Sequence, residues 1–129
     1  MRSEEFVSLI LESHFGQLIQ WSKEAERKLD SGDVEGLRQE ERRVAAIIAD
    51  FNRDWKKSLD SINSEILSSF SNLKLGTSLL QQSLTTLVQC YHRFSRVLSV
   101  APLSQLPATS QLINIHQLMV EVKKYKPNF

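Results

Sequence analysis

Apolar residues recur along the stretch from Asp33 to Val100 at steps of three, four or seven residues. This spacing places them on one face of an α-helix, and its repetition over many turns is typical of helical bundles and coiled-coil seams. The stretch therefore predicts long helices packed side by side. The residues of the pattern are Val34, Leu37, Val44, Ile48, Phe51, Trp55, Leu59, Ile62, Ile66, Phe70, Leu73, Leu80, Leu84, Leu87, Tyr91, Phe94 and Leu98.

The junction at Gly76 permits two interpretations of this stretch. Gly76 can end a helix, and Ser78 with Gln81 matches a capping box, in which two side chains satisfy the free amides at a helix start. The apolar pattern nevertheless crosses the glycine in phase, from Leu73 to Leu80, and a glycine inside a helix costs only about 1 kcal/mol. We expect a turn at Gly76, because a single helix this long would leave its apolar stripe uncovered. The third helix then spans about residues 33–72.

Two shorter helices are predicted before Asp33. The first covers about residues 2–14 and is apolar around most of its circumference, which indicates burial on more than one side. Gly16 permits a kink or a turn before the second helix, at about residues 17–30. Gly32 and Asp33 then predict a tight connection, because glycine suits the left-handed residue after a helix and aspartate caps the next helix start.

After the Gly76 junction, a fourth helix is predicted at about residues 79–100. Two prolines predict a loop over residues 101–107, and a fifth helix follows at about residues 108–125. The buried face of this last helix is predicted to consist of Leu112, Ile115, Met119 and Val122. The predicted fold is all-α, an elongated antiparallel bundle of four to five helices, with residues 1–129 forming a single domain.

The composition supports this fold class and excludes several classes of function. The chain has 129 residues, of which 41% are hydrophobic and 24% charged, as in an ordinary globular domain. A formal net charge of +1 gives no overall basic surface for nucleic acid. The sequence holds no apolar run of about 18 residues that would predict a membrane span. Because Cys90 is the single cysteine, it cannot form an internal disulfide, which favours a reducing compartment such as the cytosol.

Candidate catalytic and metal-binding groups are few. Cys90 and His92 lie two residues apart, so a helix directs them to different sides, and the four ligands of a zinc site are not present at the required spacing. No oxyanion-hole pattern accompanies Cys90, and neither a G-x-x-x-x-G-K-[ST] nor a G-x-G-x-x-G motif occurs. We therefore predict no enzyme activity and no catalytic, cofactor-binding or metal-binding residue. Cys90 is interpreted as a small, at least half-buried apolar residue.

Basic residues on the last two helices are the candidates for binding a partner. Two arginines flank Phe94 on the fourth helix, and three lysines lie at the end of the fifth. Cations also stabilise helix ends without binding anything, and recognition of a lipid surface generally needs about four to eight clustered cations. We predict contact with an acidic protein surface; a structural spacer that binds nothing and a membrane-surface contact are the alternatives. The candidate residues are Arg93, Arg96, Lys123, Lys124, Lys126 and Phe129.

Several strings of the sequence resemble the C-terminal end of one protein family. The most distinctive are residues 91–98 (YHRFSRVL) and residues 112–129 (LINIHQLMVEVKKYKPNF). Shorter matches, in the same order and spacing, are residues 15–16, 34–44, 69–72 and 76–78. Over nearly its whole length the chain thereby resembles the family of vacuolar protein sorting-associated protein 52, most strongly at the tail.

That family is a subunit of the Golgi-associated retrograde protein (GARP) complex, so the resemblance implies a multisubunit tether for vesicles travelling from endosomes to the trans-Golgi network. It also implies a related tether in endosomal recycling, and a bundle of the tether-rod type. The implied partners are sister subunits, Golgi or endosomal SNAREs and a Rab-type small GTPase, on the cytosolic face of the trans-Golgi network and endosomes. It further implies a C-terminal fragment of a longer protein, with Phe129 as its native end.

Overall fold

The computed structural model describes residues 3–100 and 103–125 and confirms the predicted all-α helical bundle. Three helices are long: α1 (Ser3–Asp30), α3 (Glu41–Ser69) and α4 (Leu73–Leu98). At 1.5 Å per residue each is about 40 Å long. The shorter elements are α2 (Val34–Arg38), a 3-10 turn (Leu103–Gln105), α5 (Pro107–Ser110) and α6 (Ile115–Lys123).

Helix α1 unites the two short helices that were predicted before Asp33. It bends at Phe15, whose φ of −130° and ψ of 22° are not helical, so the expected kink beside Gly16 is present. The hydroxyl of Ser13 donates a hydrogen bond to the carbonyl of Ile10 at 2.8 Å, just before the bend. The bend directs Phe15 into the bundle, where its ring lies 5.8 Å from that of Phe51 on α3.

The connection after α1 confirms the predicted roles of Gly32 and Asp33. Gly32 has a φ of 76°, in the left-handed region that glycine favours. Asp33 caps α2, because its Oδ1 accepts a hydrogen bond from the backbone N–H of Gly36 at 2.9 Å.

The third helix was predicted to run without interruption from residue 33 to residue 72, and this prediction is wrong. The helix stops after Arg38 and restarts at Glu41, so that α2 crosses the end of the bundle before α3 turns back along α1. Two contacts fix the crossing: Leu37 is buried, and Lys28 Nζ lies 3.0 Å from Glu40 Oε1. The sequence pattern could not show this break, because Leu37 and the α3 residues stay in the same helical phase.

A turn separates α3 from α4, as expected, but its predicted position at Gly76 is wrong. The helix begins at Leu73, and Asn72 caps it by accepting a hydrogen bond from the backbone N–H of Leu75 at 3.1 Å. Ser78 and Gln81, the predicted capping box, therefore lie inside α4. Asparagine and serine are comparable helix caps, so the capping preference alone does not distinguish the two sites.

Gly76→Ala should raise the free energy of unfolding by about 0.5–1 kcal/mol, because alanine favours a helix more than glycine does. A Cβ at Gly76 would lie 3.7 Å from Phe70 Cβ and 3.8 Å from Leu67 Cδ2, which are ordinary contacts. The matched variant Gly32→Ala should lower the free energy by about 1 kcal/mol, since an L side chain disfavours positive φ. Urea denaturation followed by circular dichroism measures both changes. Destabilisation by Gly76→Ala would contradict the helical position of this glycine.

The long helices form an up–down–up bundle in which α3 is antiparallel to both of its neighbours. The Tyr91 ring on α4 stacks on Phe51 of α3 at 4.9 Å, and the Phe94 ring meets Trp21 of α1 edge-on at 5.5 Å. Every predicted core position of α4 is buried: Leu80, Leu84, Leu87, Tyr91, Phe94 and Leu98. On α3 the buried positions of the pattern are Val44, Ile48, Phe51, Trp55, Leu59, Ile62 and Ile66.

The single fifth helix that was predicted at residues 108–125 is wrong, because the chain there forms α5, an extended segment and α6. The predicted loop is also shorter than expected: Pro107 is the first residue of α5, while residues 101 and 102 lie outside the described part of the chain. The extended segment is held by side chains of the long helices. Asn52 Nδ2 donates to the carbonyl of Gln111 at 2.9 Å, and the hydroxyl of Tyr91 donates to the carbonyl of Ile113.

Helix α6 packs over the hairpin of α3 and α4, and three of the four predicted face residues, Leu112, Ile115 and Val122, are half-buried against the core. Asn114 caps it in a capping box with Gln117. Leu118 is fully buried, whereas Met119, which was predicted to lie in the core, is 40% exposed. At the end of the helix, the Tyr125 hydroxyl donates a hydrogen bond to Asp60 of α3. Helix α6 is thus a short helix packed on one side of the bundle formed by α1, α3 and α4.

Candidate functional site

Arg93 and Arg96 lie one helical turn apart on the exposed side of α4, near its C-terminus. Phe94 between them is fully buried, and this fixes the rotation of α4 that presents both guanidinium groups to solvent. Among residues 3–100 and 103–125, neither arginine has a carboxylate within ion-pair distance. Both charges are therefore available to an acidic partner surface.

Lys23 of α1 is a further cation near the Cys90 thiol of α4. Burial raises the pKa of the Cys90 thiol, and the positive charges of Arg93 and Lys23 oppose that rise. Because such charge effects fall off with distance, both cations lie near this half-buried thiol. Lys23 could not be found from the sequence, since its nearness to Cys90 depends on how α1 packs against α4.

Lys123 and Lys124 lie in the last turn of α6 and are exposed. Lys124 Nζ is 2.9 Å from Glu121 Oε2, so part of its charge is already neutralised within the helix. The other two candidates, Lys126 and Phe129, lie outside the described residues.

The basic residues of α4 and of α6 form two separate groups. Gln81 Nε2 donates a hydrogen bond to the carbonyl of Tyr125 at 3.4 Å, so the end of α6 lies beside Gln81. Arg93 is twelve residues further along α4, which corresponds to about 18 Å. The described candidates therefore cannot contact one small feature of a partner together.

The outer face of α6 presents apolar side chains beside the lysines. Val120 is 60% exposed and lies next to the exposed Met119, with Lys123 one turn further along the helix. The sequence could not reveal this face, because Leu118, Met119 and Val120 are consecutive apolar residues and give no phase by themselves. An apolar strip with cations at its end suits contact with an acidic, amphipathic protein surface.

The kink of α1 opens a cleft of about 460 Å³ against α3. At its rim Arg53 lies 2.9 Å from Asp54 and 3.3 Å from Asp50. The hydrogen bond from Arg53 holds the pKa of Asp54 below its ordinary value. Arg53, Asp50 and Asp54 are thus paired with one another, and we assign the cleft no chemistry.

The described residues support neither a metal site nor a membrane-spanning helix. Across ranges 3–100 and 103–125, no three His, Cys, Asp or Glu side chains are grouped so that they could hold a metal ion. None of the helices in that part of the chain combines the length and the apolar character needed to cross a membrane.

Comparison with curated proteins finds relatives that match the chain almost from end to end. The vacuolar protein sorting-associated protein 52 homolog of Homo sapiens is 49% identical over 128 residues, which cover 99% of this chain and 18% of the relative. The homolog of Caenorhabditis elegans is 38% identical over 126 residues, covering 98% of this chain and 18% of that protein. Vacuolar protein sorting-associated protein 52 A of Arabidopsis thaliana is 27% identical over 133 residues, which cover 96% of this chain and 17% of that protein.

The chain thus spans less than one fifth of the length of these relatives, and it matches their C-terminal part. No family model matches the chain. No solved structure matches it significantly either.

Proposed function

Over 99% of its length this chain is homologous to the C-terminal part of the vacuolar protein sorting-associated protein 52 family, and on that premise we propose that it is a helical interaction module of a multisubunit vesicle-tethering complex. The module is non-enzymatic and forms a single domain, residues 1–129, at the C-terminal end of a longer subunit. The observation that carries the proposal is 49% identity across nearly the entire chain.

The complex acts in retrograde transport from endosomes to the trans-Golgi network, and in endosomal recycling. Within it the module contacts sister subunits, with SNAREs and a Rab-type small GTPase as further partners. It is held on the cytosolic face of these membranes through the complex. The exposed apolar and basic strip of α6 supports docking by surface contact, as does the pair Arg93 and Arg96 on α4.

A structural spacer is the second candidate function, and the internal ion pairs of the rod favour it. Glu24 and Arg43 lie 3.4 Å apart across α1 and α3, and Lys28 of α1 lies 3.0 Å from Glu40, the residue before α3. Charges used in this way align the helices of a rod without binding a partner. A spacer would keep its partners at a fixed distance and lose none of them when its surface charges change.

Reversing the α6 charges in the full-length subunit should separate the two functions. With Lys123→Glu and Lys124→Glu together, we expect recovery of at least one sister subunit, SNARE or GTPase to fall about tenfold, the effect of about 1.4 kcal/mol in binding. The lysines are exposed, so the fold should persist. Affinity purification followed by quantitative mass spectrometry measures the recovery of each partner. The pair Arg93→Glu with Arg96→Glu tests the second group in the same way.

The matched control is Arg42→Glu with Lys57→Glu, which makes the same change in charge at two exposed positions of α3. This control should recover every partner at the wild-type level. Thermal unfolding of the variants verifies that they remain folded. If both test pairs recover all partners as the wild type does, the module is a spacer and the docking proposal is wrong.

A further inference from the structure

Helix α6 covers only part of the groove between α3 and α4. Before the helix, the carbonyl of Gln111 is bound by Asn52 of α3. After it, Tyr125 forms hydrogen bonds with Asp60 of α3 and Gln81 of α4. The α3–α4 hairpin continues past this point to its turn at residues 70–72. No described residue of α6 reaches that end of the hairpin.

Exposed leucines line the continuation of the same groove. Leu67 follows Asp60 by seven residues, which returns it to the same side of α3, and it is 41% exposed. On α4, Lys74 precedes Gln81 by seven residues and so shares its side, and the neighbouring Leu73 is 61% exposed. These three residues, Leu67, Leu73 and Lys74, are called the hairpin tip below.

The two helices of the hairpin tip meet where Leu67 of α3 faces Gly76 of α4. An added Cβ at Gly76 would lie only 3.8 Å from Leu67 Cδ2, so this leucine rests against the backbone of α4. Beside it, Leu73, Lys74, Thr77 and Ser78 line a shallow depression of about 560 Å³. The exposed Leu73 in this depression and the exposed Leu67 on the neighbouring helix form an apolar patch of the kind that marks protein contacts.

The dimensions of the tip fit a helix of the same size as α6. From Asp60 to the end of α3 at Ser69 there are nine residues, or about 14 Å of helix. Helix α6 itself has 9 residues and packs on the groove with Leu118 buried and Ile115 and Val122 half-buried. The hairpin thus already binds one helix whose apolar residues recur at i, i+3 and i+7, and the tip prolongs that interface.

The positive charges beside the hairpin tip favour an acidic partner. Lys74 is the charged residue in the lining of the depression, and it is exposed. Lys123 and Lys124 lie at the end of α6 that adjoins the tip. A helix seated there in line with α6 would therefore meet positive charge along its edge and at one end.

We propose that the hairpin tip is a docking site for an amphipathic helix of a partner protein, with leucine-sized residues on one side and acidic residues at its edge. The helix lies end to end with α6 on the α3–α4 groove. Its leucines cover Leu67 and Leu73, and its carboxylates face Lys74. This surface is separate from the outer face of α6 and from the arginines of α4, so it does not depend on the function proposed above.

A pair of synthetic peptides of about ten residues tests the site directly. Both are stapled helices with leucines at i, i+3 and i+7; one carries glutamates beside the leucines and its twin carries lysines. Methyl NMR of the isotope-labelled chain reports which leucines they contact. We expect the acidic peptide to shift the methyl signals of Leu67 and Leu73, and its lysine twin to bind about tenfold more weakly.

Three variants make the test specific. Leu73→Ser should weaken binding of the acidic peptide about fivefold to tenfold, because half of a leucine contact is lost. Leu9→Ser is the matched control, since Leu9 on α1 is 60% exposed, as Leu73 is 61% exposed, and this variant should bind like the wild type. Lys74→Glu should reverse the preference, so that the lysine twin binds more tightly than the acidic peptide.

Four results would overturn the proposal. The first is an acidic peptide that shifts neither Leu67 nor Leu73 at millimolar concentration. The second is a concentration-dependent dimer, seen by sedimentation, that Leu73→Ser disperses, because a second copy would then be the occupant. The third is flotation with vesicles containing phosphatidylserine that depends on Leu73. The fourth is a shift of the Leu73 methyl signals in Phe129→Ser without peptide, which would make the chain's own tail the occupant.

Discussion

Phe94→Ala should lower the free energy of unfolding by about 3–5 kcal/mol, the usual range for removing a buried phenylalanine. The Phe94 side chain is fully buried on α4. Its ring meets Trp21 of α1 edge-on at 5.5 Å and lies 6.5 Å from that of Tyr91. Removing the ring would empty the space in which α1 and α4 meet, and would take from Trp21 its aromatic partner. The loss therefore includes the burial, the cavity and the aromatic contact.

The neighbouring arginine provides the control for this prediction. Arg93→Ala changes an exposed residue of the same helix and should alter the free energy of unfolding by less than about 0.5 kcal/mol. Guanidinium denaturation followed by circular dichroism measures both variants. A loss of less than about 1 kcal/mol for Phe94→Ala would mean that α1 and α4 do not meet through this ring. The contrast also shows whether the arginines can be changed in binding experiments without unfolding the chain.

The parts of the fold that follow from local spacing could be predicted from the sequence. On α4, the apolar residues at the predicted steps from Leu80 to Leu98 are buried, because a continuous helix preserves the phase of its stripe against two neighbouring helices, whereas Leu73 at the start of the helix is exposed. The apolar residues of α3 at these steps, from Val44 to Ile66, are buried for the same reason. Gly32 and Asp33 were predicted correctly for a similar reason, since the roles of a left-handed glycine and of a capping aspartate depend on a few adjacent residues.

The parts that depend on distant contacts could not be predicted. Nothing near Gln111 in the sequence indicates that Asn52, about 60 residues away, will donate a hydrogen bond to its carbonyl and hold the segment between α5 and α6 against α3. The α3–α4 turn was misplaced because two capping signals compete, and the structure uses Asn72 rather than Ser78. The local sequence allows a helix to start after Asn72 or after Ser78, and packing of the hairpin decides between the two positions.

The same distinction between local spacing and distant contacts applies to the candidate binding surfaces. The exposure of Arg93 and Arg96 follows from the buried position of Phe94 between them, which the spacing already predicts. The nearness of Lys23 to Cys90 does not follow from the spacing, and neither does the exposure of Leu73 beyond the end of α6. Both depend on where separate helices end relative to one another, and the periodicity of one helix contains no such information.

Leu118→Ala should lower the free energy of unfolding by about 2–4 kcal/mol, because this side chain is the fully buried anchor of α6. The other apolar residues of α6 that contact the bundle are only half-buried. With Leu118 truncated, α6 should therefore leave the groove while the three long helices stay folded. Hydrogen exchange should then show fast exchange of the α6 amides and unchanged protection in α3 and α4. Urea denaturation gives the total loss.

The variant to compare with Leu118→Ala is Met119→Ala, because the apolar spacing alone had placed Met119, and not Leu118, in the core. Met119 is 40% exposed, so its truncation should cost less than about 1 kcal/mol and leave the α6 amides protected. If Met119→Ala were the more destabilising change, α6 would be rotated by about 100° from the described position, since successive residues of an α-helix are separated by that angle. Val120 and Lys123 would then turn with it, and the exposed strip proposed for partner binding would not exist.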